Sequence, residues 1–151
     1  MGVALLSGRR SKDPNTQVGA CIVNQQNKIV GAGYNGLPLG CSDEEFPWGK
    51  SGDFLQTKYP YVCHAELNAI LNNIGMDLSG CRIYTALFPC NECSKAIIQS
   101  GIREVIYLSD KYDGSDISIA SKRLLSTAGV SFRKVEARRQ KIELSFNEED
   151  V

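Results

Sequence analysis

Apolar residues recur along the chain with two different periods, and each period predicts a type of secondary structure. Two runs of β-branched and small residues, 18–23 and 28–34, lie on either side of the polar turn 24–27 and predict a β-hairpin. Apolar residues spaced three and four apart predict a helix over 64–73, with Gly75 as its stop signal; they are Leu67, Ile70, Leu71 and Ile74.

Strands and helices alternate in the second half of the chain. Short apolar runs predict strands over 81–87, 104–108 and 130–135, and helical spacing predicts helices over 90–100 and 117–128. Glycines at 101 and 129 end these two helices. Together with the tail of a helix over 4–10, this succession predicts an α/β fold.

The length of 151 residues predicts a single domain over 1–151. Within it, residues 1–10 are interpreted as a partial first helix and residues 141–151 as a charged tail. Segment 36–60 is rich in Gly, Pro and Asp with scattered aromatic residues, and we interpret it as a long functional loop. With 42% hydrophobic residues the chain can bury a core, which excludes disordered and collagen-like classes.

The charge balance narrows the classes of partner. Lys and Arg total 17, as do Asp and Glu, so the broad basic surface that binds long nucleic acids is not expected. No apolar run approaches the roughly 18–20 residues that span a bilayer, and no stretch resembles a signal peptide. We therefore expect a cytoplasmic protein that binds a small ligand, with no membrane partner.

The chain contains six cysteines and one histidine, His64. Without a targeting segment, cysteines indicate metal binding or catalysis rather than disulfides. Cys21 and Cys81 lie in apolar strands and are predicted to be small buried hydrophobic residues. Cys41 and Cys63 are assigned no metal, since no second histidine is present and Cys63 points away from its neighbour His64.

Two short motifs carry the candidate chemistry. His64-Ala65-Glu66 begins one predicted helix, and Pro89-Cys90-Asn91-Glu92-Cys93 begins the next. A single strand separates the two helices, so both helix N-termini are expected at the same end of the sheet. Cys90 and Cys93 are three apart, which puts both sulfurs on one helix face. The sequence thus predicts that His64, Cys90 and Cys93 meet at one metal ion.

Three protein ligands leave one position open on a tetrahedral zinc ion, which is typical of a catalytic site. The pKa of a water molecule bound at that position falls from 15.7 to about 7. The bound water can therefore become hydroxide, a nucleophile, at neutral pH. Glu66 is placed to take the proton and to pass protons to a substrate nitrogen and to departing ammonia. H-x-E followed by P-C-x-x-C is the established signature of zinc-dependent nucleobase deaminases.

Longer strings extend the match over most of the chain. The segments 11–20, 33–38, 59–70, 86–93 and 109–112 resemble the cytidine and deoxycytidylate deaminase family. The resemblance implies a three-layer α/β/α sandwich with a central mixed sheet of about five strands. It also implies that the protein hydrolyses dCMP to dUMP for thymidylate synthesis and binds one Zn²⁺ per subunit. Members of the family are hexamers that dCTP activates and dTTP inhibits, with Mg²⁺ accompanying the effector nucleotide, so the same is expected here. Family members continue upstream of the position of Met1, so a short first helix is expected.

The resemblance also implies two sets of nucleotide contacts. The candidates for substrate binding are Asn35, Ala65, Ser109, Lys111 and Tyr112. The candidates for the effector nucleotide are Ser11, Lys12, Asn15, Tyr34 and Gly36. The sequence leaves the division between substrate and effector open. It also leaves open that Asn35 supplies a left-handed turn and that Tyr112 packs on the sheet edge.

Two alternative functions remain at this level. One is a deaminase for free cytidine, for a nucleoside triphosphate or for a base in tRNA; the neutral charge balance disfavours tRNA. The other is a non-catalytic zinc module that binds nucleotides. The presence of Glu66 argues against such a module, because a structural metal site needs no unliganded carboxylate beside it.

Overall fold

Four α-helices and five strands are present in the residues that the computed structural model describes, which are 1–73, 75–144 and 147, and they alternate from α2 onward. The strands are β1 Gly19–Val23, β2 Ile29–Tyr34, β3 Arg82–Leu87, β4 Glu104–Ser109 and β5 Ser131–Lys134. The α-helices are α1 Gly2–Gly8, α2 Ala65–Leu71, α3 Asn91–Gln99 and α4 Asp116–Thr127, with a 3₁₀ turn at Phe54–Gln56. The predicted order of elements is confirmed.

The strands form one mixed sheet in the order β2-β1-β3-β4-β5. β1 pairs antiparallel with both β2 and β3, and the first pairing is the predicted hairpin. β3, β4 and β5 are parallel to one another, because α3 and α4 return the chain between them. The predicted mixed sheet of about five strands is confirmed.

Two glycines show how the helices cover both faces of the sheet. A Cβ on Gly19 would lie 1.8 Å from the carbonyl oxygen of Ala4 in α1. A Cβ on Gly33 would lie 2.3 Å from the amide nitrogen of Ala69 in α2. Gly33 pairs with Ala20, the neighbour of Gly19, so the two glycines face opposite sides of the sheet. α1 therefore covers one face, while α2, α3 and α4 pack together on the other, which confirms the three-layer sandwich.

The hydrophobic core joins the sheet to α2, α3 and α4. Its members are buried apolar side chains of strands and helices: Ala20, Ile22, Val30, Ala65, Ala69, Leu78, Cys81, Ile83, Ile97, Ile102, Val105, Leu125 and Val130. Cys21 and Cys81 are both buried, as predicted from their apolar strands. This continuous core fixes the helix starts against the sheet, where the candidate ligands lie.

Element ends differ from the predictions by a few residues. α2 covers 65–71 rather than 64–73, because His64 is its N-cap and Asn72 its C-cap. Gly75 follows in the left-handed conformation, and Ile74 lies outside the described residues. β4 extends to Ser109 because that residue still pairs with Leu87 of β3. Caps have non-helical dihedrals, which an apolar pattern does not reveal.

Three further segments were expected from the sequence. α1 is a helix of seven residues, in keeping with the short first helix that was expected. The long loop 36–60 is joined at its base by two hydrogen bonds between Gly36 and Cys63. Of the tail 141–151, the structure describes 141–144 and 147, which form neither helix nor strand. Among the described residues, no helix combines the length and the apolar character needed to cross a membrane.

Candidate active site

The starts of α2 and α3 bring three metal-ligating side chains together. His64 is the N-cap of α2, Cys90 is the N-cap of α3, and Cys93 lies in the first turn of α3. Nδ1 of His64 lies 3.4 Å from each sulfur, and all three ligand atoms lie within 4.8 Å of one another. Nitrogen and sulfur ligands of one tetrahedral zinc ion lie roughly 3.5–3.8 Å apart. The three side chains therefore fit one zinc ion, as the spacing predicted.

The electrostatics of this cluster favour a negatively charged sulfur. A hydrogen bond from Cys93 lowers the pKa of Cys90, and a hydrogen bond with His64 lowers it further. These effects outweigh burial, which raises the pKa, so that the pKa of Cys90 falls to about 4. The same hydrogen bond, together with burial, raises the pKa of Cys93. The hydrogen bond with Cys90 raises the pKa of His64 against the effect of burial. A thiolate at the N-terminus of α3 is the kind of ligand that zinc requires.

Glu66 lies beside the cluster without being a member of it. Its side chain lies in the first turn of α2, and the residue is 4% exposed. Oε1 accepts a hydrogen bond from the Thr85 hydroxyl at 3.0 Å, and Oε2 accepts one from Cys93 Sγ at 3.5 Å. Burial raises the pKa of Glu66, while the charge of His64 lowers it. The carboxyl group is thus oriented and set toward the protonated form, as a proton-transfer group requires.

A cavity of about 430 Å³ opens over these residues. Its floor includes His64, Ala65, Glu66 and Cys90. Its walls come from loop 11–18, the end of β2, loop 36–62, the end of β3 and the start of α4: Asp13, Thr16, Val18, Asn35, Lys50, Lys58, Tyr59, Val62, Leu87, Phe88, Pro89, Tyr112, Ser115, Ile117 and Ser118. A more open groove of about 570 Å³ lies along α4 and contains none of the cluster residues. The smaller cavity is therefore the candidate active site.

Asn35 lies in the wall of this cavity, and its carboxamide is held on both sides. Nδ2 donates to Asp13 Oδ2 at 3.1 Å and to the Thr16 carbonyl at 3.0 Å, and Oδ1 accepts from the Val18 amide at 2.8 Å. Among the described residues, Asn27 is the single non-glycine residue with positive φ, so the left-handed alternative for Asn35 was wrong. One lone pair of Oδ1 remains for a ligand.

Sequence reasoning missed the residues that hold Asn35 in place. Asp13 is buried and forms an ion pair with Lys58, a residue 45 positions later in the long loop. Asp13 also accepts hydrogen bonds from the amides of Asn15 and Thr16. Burial raises the pKa of Asp13, but the hydrogen bonds from Lys58 and the two amides outweigh it and leave the pKa below its usual value. Asp-Pro-Asn is a typical turn sequence, yet nothing in it indicates a distant lysine.

The remaining substrate candidates lie at different distances from the cavity. Ala65 is fully buried and lines the floor. Tyr112 is 56% exposed and lines the wall, with Lys111 Nζ 4.9 Å from its ring centre. Ser109 and Lys111 are not lining residues; the carbonyl of Ser109 accepts the amide of Phe88 at 2.8 Å. Tyr112 is therefore the member of the 109–112 string that reaches the cavity.

The effector candidates surround the outer side of this wall. Ser11 donates to the carbonyl of Asn35 at 2.8 Å, and Gly36 pairs with Cys63. Asn15 donates to the carbonyl of Trp48 at 3.2 Å, so it ties the first loop to loop 36–60. Lys12 does the same through an exposed ion pair with Asp43. The ring of Tyr34 lies beneath the guanidinium of Arg10 at 5.3 Å. None of these five candidates lines the cavity.

Comparison with known proteins adds to this geometry. Residues 1–109 match the family model described as the cytidine and deoxycytidylate deaminase zinc-binding region. The chain is 60% identical over 148 residues to proteins named deoxycytidylate deaminase from Homo sapiens and from Pongo abelii, covering 97% of this chain and 83% of each relative.

A solved structure shares the fold. It is the dCMP deaminase of cyanophage S-TIM5 in complex with dCMP and dUMP, which is 27% identical with a TM-score of 0.70, covering 89% of this chain and 92% of that one. The four candidate metal-binding and catalytic residues all lie within the region 1–109 that the family model matches; they are His64, Glu66, Cys90 and Cys93.

Proposed function

Because the chain belongs to the cytidine and deoxycytidylate deaminase family, we propose that it hydrolyses dCMP to dUMP and ammonia. The chain is a hydrolytic deaminase with the family's zinc-binding region, and the relatives that it matches at 60% identity are named deoxycytidylate deaminase. One observation carries the proposal. A buried carboxyl group, that of Glu66, lies against the cluster of His64, Cys90 and Cys93 without being one of its ligands.

The three cluster residues, His64, Cys90 and Cys93, would hold the metal. Zinc bound there lowers the pKa of a coordinated water from 15.7 to about 7 and so supplies hydroxide at neutral pH. The donor set of one imidazole and two sulfurs suits zinc better than magnesium or calcium, which prefer oxygen ligands.

Glu66 performs the proton transfers. Hydrolysis adds water at C4 of the pyrimidine, places a proton on N3, and releases the C4 amino group as ammonia after a second proton reaches it. A carboxyl group that burial shifts toward protonation can carry the first proton of the added water to N3, and then the second, from the C4 hydroxyl, to the departing amino group. The hydroxyl of Thr85, which donates to Oε1 at 3.0 Å, keeps the carboxyl group in one orientation during these steps.

The cavity accommodates the rest of the nucleotide. Its volume of about 430 Å³ lies within the usual range for small-molecule sites. Ala65, the neighbour of Glu66, would contact the pyrimidine base. The free lone pair of Asn35 Oδ1 would accept a hydrogen bond from a sugar hydroxyl. Tyr112 lines the cavity and is 56% exposed, so its ring is available for a nucleotide to stack on.

We also propose that dCTP activates and dTTP inhibits the enzyme, with Mg²⁺ accompanying the effector. The support is the position of the effector candidates. Lys12 and Asn15 lie where loop 11–15 meets loop 36–60, and an effector seated there would contact the outer side of the wall that holds Asn35. We also propose that the subunits form a hexamer. Three apolar side chains on α1 are 42–55% exposed and are available for a subunit interface; they are Val3, Leu5 and Leu6.

The biological setting is proposed from the same family membership. The product dUMP would feed thymidylate synthesis. One continuous core supports a single deaminase domain over 1–151, and the cytoplasmic location stays a prediction.

The test is ammonia release from dCMP by the zinc-loaded protein, with cytidine, CMP and dCTP as parallel substrates. Glu66→Gln is expected to keep the fold and the zinc content while the rate falls by about 10²- to 10⁴-fold. Glu92→Gln is the matched control, since Glu92 lies in the first turn of α3 with a side chain 69% exposed. A Glu66→Gln variant with near-normal turnover would remove Glu66 from the mechanism. Addition of dCTP or dTTP with Mg²⁺, and light scattering for subunit number, test the regulation and the hexamer.

A further inference from the structure

A chain of buried hydrogen bonds connects α4 to the P-C-x-x-C motif. Ser121 Oγ in α4 lies 2.8 Å from the carbonyl oxygen of Pro89 and 2.6 Å from Oγ of Ser94 in α3. Both serines are 0% exposed, and the side chain of Pro89 is fully buried as well. Polar groups that are shielded from water depend on such partners, because an unpaired one keeps its full cost of desolvation. The three groups therefore form one unit between α3 and α4.

The number of protons fixes the direction of this chain. A carbonyl oxygen only accepts, so the Ser121 hydroxyl donates its single proton to Pro89. The Ser121 oxygen then accepts the hydrogen bond of Ser94. Within the described part of the chain no main-chain amide donates to the Pro89 carbonyl, so Ser121 is its donor. The hydrogen bonds thus run from Ser94 through Ser121 to Pro89, and each one polarises and strengthens the next.

The carbonyl at the end of this chain belongs to the peptide that joins Pro89 to Cys90. Cys90 is the N-cap of α3, with φ −70° and ψ 172°. Its own carbonyl accepts the amide of Ser94 at 2.9 Å. The peptide before Cys90 is therefore held by α4, and the peptide after it by the first turn of α3. These two peptide planes fix φ and ψ of Cys90, and with them the direction in which its sulfur points toward the cluster.

The helix that supplies Ser121 also forms part of the cavity wall. Ile117 and Ser118 line the cavity one turn before Ser121 in α4. The hydrogen bond from Ser121 to Pro89 therefore joins the cavity wall to the peptide beside Cys90, and it keeps this ligand at a constant position relative to that wall.

We propose that Ser121, with its hydroxyl oriented by Ser94, is a positioning residue for the metal ligand Cys90. The inference rests on the proposed function, in which His64, Cys90 and Cys93 hold zinc, and adds a support that lies outside the cluster. Without the hydrogen bond from Ser121, the peptide before Cys90 can rotate, and the Cys90 sulfur leaves its place 3.4 Å from His64 Nδ1. Loss of a group that orients a ligand in this way typically costs about 10- to 100-fold in metal affinity.

The test compares Ser121→Ala with Ser94→Ala, which is the matched control. Each variant removes one buried hydroxyl from the same contact between α3 and α4, but Ser121→Ala alone removes the hydrogen bond to Pro89. We expect Ser121→Ala to bind zinc about 10- to 100-fold more weakly in competition with a chelator. Ser94→Ala should bind zinc nearly as the wild type does, because loss of a polarising neighbour weakens a hydrogen bond by only about 10–30%.

Cobalt provides a second readout, one that a packing defect would not change. In the cobalt-loaded protein, the absorption band between thiolate sulfur and Co²⁺ depends on the distance and orientation of Cys90. We expect this band to weaken or shift in Ser121→Ala and to stay the same in Ser94→Ala. Both variants lose buried hydrogen bonds, so the Tm of the zinc-loaded protein should fall in both, by about 2–8 °C. Thermal stability alone therefore does not distinguish positioning from packing.

A zinc affinity and a cobalt band that change in Ser121→Ala alone support the positioning role. Equal changes in both variants, or none in Ser121→Ala, overturn it and leave the two serines as a packing contact. If Ser121→Ala does not fold, the double variant Ser94→Ala/Ser121→Ala is read in the same way, because it lacks the hydrogen bond to Pro89 without leaving the Ser94 hydroxyl unpaired. Wild-type protein that binds zinc but leaves dCMP unchanged contradicts the proposed function, and the two metal readouts then still decide the positioning role. Wild-type protein that binds no zinc overturns both.

Discussion

Replacement of Lys58 by methionine measures how strongly a buried ion pair holds loop 36–60 over the cavity. The side chains of Lys58 and Asp13 are 11% and 1% exposed. Removal of one partner of a buried pair typically costs 3–5 kcal/mol. In Lys58→Met the Asp13 carboxylate keeps three N–H donors, from Asn15, Thr16 and Asn35. We therefore expect a loss near the lower end, about 3 kcal/mol, which lowers Tm by about 6–12 °C in a chain of this size.

The effect should depend on pH with a definite sign. The pKa of Asp13 lies below its ordinary value of 3.8, because the hydrogen bonds from Lys58 and from the two amides outweigh burial. The contribution of this group is fully present above about pH 4 and is lost as pH falls through the lower pKa of the folded chain. The stability difference between wild type and Lys58→Met should therefore shrink below about pH 4.

The assay is urea unfolding of the zinc-loaded protein at neutral and acidic pH, with Lys12→Met as control. Lys12 pairs with Asp43 and also joins loop 11–15 to loop 36–60, but its side chain is 73% exposed. Exposed pairs are screened by solvent, so the control should show little or no change. Equal losses in Lys58→Met and Lys12→Met would refute the reasoning, since burial would then not distinguish the two pairs.

Three further substitutions test the metal cluster, Glu66 and the helix packing. Cys90→Ala should lose stoichiometric zinc and several kcal/mol of stability, because a metal held by the cluster would join the starts of α2 and α3. Metal analysis that finds full zinc would contradict the proposed ligand set. Thr85→Val removes a hydrogen bond that lowers the pKa of Glu66, so the acidic limb of the plot of kcat/KM against pH should move to higher pH. If this limb does not move, Thr85 does not act on Glu66. Gly33→Ala places a Cβ 2.3 Å from the Ala69 amide and should displace α2, with loss of zinc and a lower Tm; a normal Tm would contradict this packing.

The motifs could be predicted because their chemistry is local. Cys90 and Cys93 are three residues apart at a helix start, so the helix geometry by itself places both sulfurs on one side. His64 joins them because a short helix-strand-helix connection returns the second helix start to the same end of the sheet. These relations depend on spacing and on chain direction, both of which are visible in the sequence.

The residues that line the cavity were predicted less completely, because they come from segments far apart in the chain. Of the string 109–112, Tyr112 reaches the cavity, while Ser109 continues the pairing of β4. No local pattern distinguishes a serine at the end of a strand from one that contacts a ligand. The effector candidates likewise lie outside the cavity wall, in hydrogen bonds between loops that their own sequence does not specify.

The sequence by itself indicated the family through its motifs, and it predicted the mixed α/β sheet, the cluster of His64, Cys90 and Cys93, and the carboxyl group beside that cluster, because these follow from the spacing of residues within one or two neighbouring elements. The tertiary structure alone decided that Asp13 and Lys58 pair across 45 residues, that Asn35 is held by that pair, and that Ser118 faces the same cavity as Glu66. The physical reason is that burial and pairing depend on which loops and helix ends the sheet brings together, and that depends on the packing of the whole chain.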